Sequence, residues 1–119
     1  MKAREIDHCV MRVTVAGLLA AAWMAPAAAQ DDARLKLGKE LFGKQGALPA
    51  CAVCHKLKDA GAEGAVGPSL DELKPDRARV AKALRDGIGQ MPSYRGTLSD
   101  DQIAALAAYV ARATGGEKP

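Results

Sequence analysis

Apolar residues recur at helical spacing in the segment that spans residues 32–44. Leu37 and Leu41 lie four positions apart, and Leu35 and Phe42 lie seven apart. A stripe of this kind is typical of a helix that buries one face, so the pattern predicts a first helix over this segment, with the stripe directed inward.

Two acidic residues and one glycine add to the description of this first helix. Asp31 and Asp32 stand at its predicted start, where a capping side chain and a negative charge favour a helix N-terminus. Gly38 lies inside the predicted helix, where glycine costs about 1 kcal/mol relative to alanine. Either another helix approaches closely at Gly38 or the glycine is simply tolerated, and the sequence leaves both interpretations open.

A second helix is predicted over residues 76–86. Val80, Leu84 and Ile88 recur every four residues and are expected to face inward. Gly87 follows the last helical position and is a typical residue for ending a helix.

A third helix is predicted from residue 99 to about residue 113. Ser99 and Gln102 have the spacing of a capping box, in which each side chain bonds the other residue's backbone N–H. The apolar face of this helix consists of Ile103, Leu106, Ala107 and Val110.

The segments between these helices lack a clear period. Residues 46–50 and 56–67 are predicted to be loops, because they are rich in glycine, alanine and charge or contain proline. No strand pattern and no internal repeat is evident in the sequence. The chain is therefore predicted to be all-α.

The first 29 residues have the composition of a secretory signal sequence. Three basic residues precede an apolar run over residues 13–25, and alanines at 27–29 offer a small-residue cleavage site. Thirteen apolar residues are too few to cross a bilayer, which needs about 20. We therefore expect residues 1–29 to be cleaved before Gln30, leaving a periplasmic protein without a membrane anchor.

Cleavage would leave one small domain, residues 30–119. This part carries fourteen Lys and Arg against twelve Asp and Glu, a net charge of +2, so a nucleic-acid partner is not expected. A domain of 90 residues buries little apolar surface, and domains of this size often need a disulfide, a metal or another bound group to complete the core.

The chemically most informative stretch is Cys51-Ala52-Val53-Cys54-His55. Its pattern, C-x-x-C-H, is the attachment signature of c-type haem. The two thiols can add to the two vinyl groups of one porphyrin, and the histidine that follows can bind the iron as proximal ligand. A covalent haem would also supply apolar core that the small domain lacks.

Three other interpretations use the same two cysteines. A structural zinc site needs four ligands, usually with a second Cys or His pair that this sequence lacks. A thioredoxin-like redox pair needs a βαβ setting, for which there is no strand pattern. A disulfide between Cys51 and Cys54 would close a very small loop and stabilise little. The haem interpretation is favoured over all three.

Signal cleavage would leave one histidine, His55, and one methionine, Met91. Met91 lies in a loop bounded by glycine and proline. A thioether sulfur suits haem iron and raises its reduction potential, although methionine more commonly fills space in a core. If the sixth position of the iron has a soft protein ligand, that ligand is Met91.

Together these features resemble a class I c-type cytochrome, a small all-α electron carrier with one haem. The resemblance covers nearly all of residues 33–114, and the interval from His55 to Met91 is similar to that of the compact bacterial members. It rests on the attachment motif, on Gly67-Pro68-Ser69-Leu70, on Met91-Pro92, and on the pairs Gly38/Phe42 and Leu106/Tyr109.

The resemblance implies a cytochrome c fold of about four helices around one covalent haem c and its iron, with the N- and C-terminal helices crossing. It also implies an aromatic residue near the haem propionates, for which Tyr94 is the candidate. The site residues that it implies are thioethers at Cys51 and Cys54, axial ligands at His55 and Met91, the Pro68 carbonyl holding His55, and Leu70 packed on the haem face.

The function implied is that of a periplasmic electron carrier, not an enzyme, cycling between ferric and ferrous states. Expected partners are redox proteins: a dehydrogenase as donor and an oxidase or another cytochrome as acceptor. Two alternatives stay open. The chain can be a haem-binding subunit of an oxidoreductase complex such as a sulfite dehydrogenase, or a haem enzyme or sensor with an open sixth position.

Overall fold

The structure, a computed structural model, describes residues 26–44 and 51–117. Most of the predicted signal sequence and the predicted loop at 46–50 lie outside the described residues. In chain order the elements are α1 (Ala27–Gly43), α2 (Cys51–Cys54), β1 (Lys56–Leu57), a 3₁₀ turn (Lys58–Ala60), β2 (Ala62–Glu63), α3 (Leu70–Leu73), α4 (Arg77–Asp86) and α5 (Asp100–Thr114).

The all-α class is confirmed, because five helices and only one two-residue strand pair occur in the described ranges. Two of the helices, α2 and α3, are single turns, so the three long helices match the three that the sequence predicts. The central element is α5, which packs against α1 and α4 and, more lightly, against α3. Within residues 26–44 and 51–117, no helix is long and apolar enough to span a bilayer.

The crossing of α1 and α5 explains the glycine inside α1. A Cβ atom at Gly38 would lie 2.5 Å from the Cβ of Tyr109 and would overlap the backbone oxygen of Ala105. One turn further on, Phe42 packs edge-on against Tyr109 with ring centroids 6.0 Å apart. Of the two interpretations of Gly38, close approach by another helix is therefore the right one.

We expect Gly38→Ala to destabilise the protein by about 1–3 kcal/mol, the usual cost of forcing extra atoms into a packed site. The obstacle is backbone, which cannot rotate away as a side chain can. Gly43→Ala is the matched control, because it lies in the same helix and a Cβ there meets nothing within 4 Å. Denaturant unfolding of the two variants checks this, and equal stability would contradict the packing argument.

The ends of α4 and α5 follow the sequence signals. The hydroxyl of Ser99 accepts the N–H of Gln102 at 3.2 Å, and the Gln102 side chain accepts the N–H of Ser99 at 2.9 Å, which completes the predicted capping box. At the start of α4, the carboxylate of Asp76 accepts the N–H of Arg79 at 2.8 Å. Gly87 ends α4 with a φ of 71°, which favours glycine.

The start of the first helix and one position of its inward stripe differ from the expectation. The helix begins at Ala27 rather than Asp32, because Pro26 is followed by a run of alanines, the strongest helix formers. The inward stripe is confirmed for Phe42, which is buried, and for Leu35 and Leu41, which are half-buried, but not for Leu37, which is 38% exposed.

Other differences concern short elements and one helix end. The segment predicted as a loop contains the antiparallel pair β1–β2, in which Lys56 faces Glu63 and Leu57 faces Ala62. The inward stripe of α4 ends with the helix, because Ile88 lies beyond it and is 69% exposed. Strands of two residues and helices of four are too short to leave a periodic signal in a sequence.

Candidate haem-binding site

A cavity of about 720 Å³ lies in the middle of the fold, and α1, α2, α3, α4 and α5 all contribute to its walls. Most of the lining is apolar, including Phe42, Leu84 and Leu106. All six site residues expected from the sequence line this one cavity: Cys51, Cys54, His55, Pro68, Leu70 and Met91.

The two cysteines are presented to the cavity by α2, a single helical turn. Cys51 and Cys54 are three positions apart, and residues at this spacing share one side of a helix. Both carry free, partly buried thiols. Burial raises the pKa of the Cys51 thiol, and the neighbouring Cys54 adds to this effect against a lowering by a backbone hydrogen bond. Val53 between them is 62% exposed and does not line the cavity.

His55 is held from two sides. Its backbone N–H bonds the carbonyl of Cys51 at 2.8 Å, which continues the turn of α2. Its ring Nδ1 lies 2.8 Å from the carbonyl oxygen of Pro68. A carbonyl only accepts, so Nδ1 must be the donor, and in a neutral ring Nε2 then carries the lone pair. This is the tautomer in which a histidine can bind a metal through Nε2.

Two glycines make this position of His55 possible. A Cβ at Gly67 would lie 2.6 Å from the ring Cε1 of His55, and the Gly67 N–H bonds the carbonyl of Cys54 at 2.7 Å. A Cβ at Gly64 would lie 2.6 Å from the backbone nitrogen of His55. Sequence reasoning did not single out Gly64, because nothing in a glycine-rich stretch shows which glycine meets another segment.

Met91 projects from a tight turn that follows α4. Its N–H and carbonyl bond the carbonyl and N–H of Ile88 at 2.9 and 3.0 Å, and Gly89 takes a φ of 56° inside the turn. Gly87 lies against the far end of the turn, because a Cβ there would be 2.8 Å from the carbonyl oxygen of Met91. Met91 is half-buried and packs against the core.

Three further residues line the cavity, and the sequence pointed to only one of them. Tyr94, the candidate aromatic, is 6% exposed and lines the cavity. Burial raises the pKa of its phenol, with smaller contributions from the two cysteines. Arg79 and Lys82 also line the cavity. The sequence gave no reason to single them out, because the basic residues of a helix usually form a solvated face.

Residues 33–110 match the family described as cytochrome c oxidase, cbb3-type, subunit III. A cytochrome c6 of Tetradesmus obliquus is 34% identical over 97 residues, which cover 73% of this chain and 99% of the relative. A cytochrome c6 of Leptolyngbya boryana is 34% identical over 64 residues, which cover 50% of this chain and 75% of the relative.

The chain therefore belongs to the cytochrome c family and is a small class I c-type cytochrome. Among solved structures it is similar to the c-type cytochrome SorU from Sinorhizobium meliloti, with 49% sequence identity and a TM-score of 0.66. That similarity covers 71% of this chain and 94% of SorU. The resemblance drawn from the sequence motifs is confirmed.

The cofactor of this family is one covalently bound haem c with its iron, and the residues present fit it. The cavity is large and mostly apolar, as a flat macrocycle requires, and it combines two free thiols, an imidazole and a thioether. Thiols, imidazole and thioether are the donor set of c-type haem attachment and ligation. Family membership thus favours the haem interpretation of the cysteines over zinc, a thiol redox pair or a disulfide.

Proposed function

We propose that this chain is a periplasmic electron-transfer protein in which Cys51 and Cys54 hold haem c by thioether bonds and His55 and Met91 bind its iron. The observation that carries the proposal is that one cavity is lined by these four side chains. The hydrogen bond from His55 to Pro68 supports the role of His55, because it leaves Nε2 free to bind a metal.

When bound, haem c supplies an iron that takes up and releases one electron. The task of the protein is then to hold both ligands in place in either oxidation state. His55 is fixed by Pro68 and Gly67, and Met91 by its turn with Ile88. With His55 and Met91 both holding the iron, no position would be left for a substrate. This argues for a carrier over an enzyme or sensor with an open sixth position.

The exposed face beside the cavity supports docking of redox proteins. Val66 and Ile88 line the cavity and are 71% and 69% exposed. Electron-transfer encounters are small, generally below about 1,200 Å², and suit a limited apolar face of this kind. We propose a dehydrogenase as donor, sulfite-oxidising ones included, and an oxidase or another cytochrome as acceptor. The matched family is described as an oxidase subunit, which supports an oxidase as the acceptor.

One set of spectra on protein made with the haem-attachment machinery tests the ligation. We expect a pyridine haemochrome of the thioether type, one haem per chain, a weak ferric charge-transfer band from sulfur ligation, and no binding of carbon monoxide to the reduced protein. Ready binding of carbon monoxide together with a high-spin spectrum would replace the carrier with the open-site alternative. Absence of covalent haem would contradict both the carrier proposal and the open-site alternative.

Location is tested separately by N-terminal sequencing of the purified protein and by fractionation. We expect the mature chain to start near Gln30 and to be recovered from the periplasm. Because α1 begins at Ala27, cleavage before Gln30 would remove its first turn and leave Asp31 and Asp32 near the new helix start. Recovery of residues 1–29 on protein in the membrane fraction would mean that the segment is a retained anchor.

A further inference from the structure

The segment that carries Met91 is tied to the end of α4 by bonds that the helix itself cannot make. The last four carbonyls of a helix have no partner within it. Here the carbonyl of Leu84 accepts the N–H of Tyr94 at 2.7 Å, and the carbonyl of Arg85 accepts the hydroxyl of Ser93 at 2.5 Å. The segment after Met91 therefore returns to α4 and completes its C-terminus.

The hydroxyl of Ser93 is used twice. Besides donating to Arg85, it accepts the backbone N–H of Arg95 at 3.2 Å. The guanidinium of Arg95 then bonds one carboxylate oxygen of Asp86 at 3.1 Å, and Lys82 bonds the other at 2.7 Å. We call these contacts among Arg85, Asp86, Ser93 and Arg95 the loop neck.

Between the two sides of the neck, the loop is held by the packing of Met91 against the core and by its own turn. Ile88, Gly89 and Gln90 are exposed, and their backbone bonds are those of the turn that ends at Met91. The turn fixes the shape of the loop tip, and the neck, together with the bond between Tyr94 and Leu84, fixes where that tip lies relative to α4. Since Ser93 is two residues from Met91, a change at the neck is passed to the methionine through very little chain.

We propose that Ser93, supported by the Asp86–Arg95 pair, is a positioning residue for Met91 and sets how often the sulfur leaves the iron. The inference rests on the proposed His55/Met91 ligation. A neck that is closed by hydrogen bonds holds the loop in the geometry that places Met91 in the cavity. A neck that has lost them opens locally while the helices, whose packing is elsewhere, stay folded.

The expected size of the effect follows from the bonds removed. Loss of an ordinary hydrogen bond changes an equilibrium about two- to tenfold, so Ser93→Ala, which removes two, is expected to raise local opening about tenfold. The Asp86–Arg95 pair is exposed, and exposed pairs correspond to about fivefold at most. Arg95→Gln is therefore expected to have a smaller effect than Ser93→Ala.

The test is imidazole binding to the ferric holoprotein, because imidazole can reach the iron only when Met91 has left it. The limiting rate at high imidazole measures opening, and thermal unfolding by circular dichroism is recorded in parallel. Thr97→Ala and Arg112→Gln are matched controls, since the structure gives neither side chain a hydrogen bond or ion pair within its described residues. Ser93→Thr keeps the hydroxyl and should show the wild-type rate.

Support for the inference is a limiting rate about tenfold higher in Ser93→Ala, with Thr97→Ala and Arg112→Gln at the wild-type rate. If wild type shows the sulfur charge-transfer band but Ser93→Ala binds imidazole no faster, the neck has no positioning role, while the proposed ligation stands. The same conclusion applies if the Thr97→Ala rate rises equally. If wild type lacks the band, the proposed ligation fails, and this inference fails with it.

Discussion

Met91→Ala is expected to keep covalent haem but to lose the weak ferric charge-transfer band that reports sulfur on the iron. Its reduction potential should fall by something of the order of 100 mV, because a thioether stabilises ferrous over ferric iron and axial ligands tune haem potentials over about 0.8 V. The reduced variant should also bind carbon monoxide, since water or a nearby lysine would occupy the sixth position. Spectra and a redox titration measure all three.

Ile88→Ala is the matched control for this experiment. Ile88 lines the same cavity and pairs with Met91 across the turn, so its truncation removes apolar contact but no sulfur. The control should keep both the band and a near-normal potential. An unchanged spectrum and potential in Met91→Ala would mean that another group binds the iron, and the carrier proposal in its present form would be abandoned.

The double variant Cys51→Ala/Cys54→Ala should lack covalent haem and fold poorly. A space of about 720 Å³ left unfilled would remove packing contacts from the apolar residues around it, a cost that is large against the usual stability of about 5–15 kcal/mol. Water entering the cavity lowers that cost but leaves Phe42, Leu84 and Leu106 in contact with solvent. Haem staining after denaturing electrophoresis and far-ultraviolet circular dichroism give the result.

Val53→Ala controls for substitution within the attachment turn. Val53 sits between the cysteines, is largely exposed and does not line the cavity, so haem staining and helix content should be retained. A double cysteine variant with native helix content and no haem would show that the protein chain alone can support the fold. The proposed dependence of the core on its cofactor would then be rejected.

Local signals allowed much of the helical structure to be predicted. The capping box at Ser99, the cap at Asp76 and the glycine that ends α4 act within a few residues of each other, so the sequence carries them directly. Gly38 was informative for the opposite reason. A glycine inside a strong helix is costly, which points to a distant contact without identifying it, and the structure identifies the partner as α5.

The features that sequence reasoning missed depend on contacts between segments far apart in the chain. The early start of α1 was overlooked because alanines at a predicted cleavage site also form helix well. The need for glycine at position 64 arises from the backbone around His55, and the neck around Ser93 arises from carbonyls at the end of α4. None of these has a periodic pattern, and each becomes visible only when the chain is folded.

The crossing at Gly38 also has a kinetic consequence. It joins α1 with α5, the first and last helices of the described chain, so the best-packed helix pair comes from opposite ends of the sequence. Folding slows as contacting residues become more distant along the chain, because the entropy of closing the intervening segment is lost before the contact forms. This protein should therefore reach its native state more slowly than helical bundles of equal length whose consecutive helices pack together.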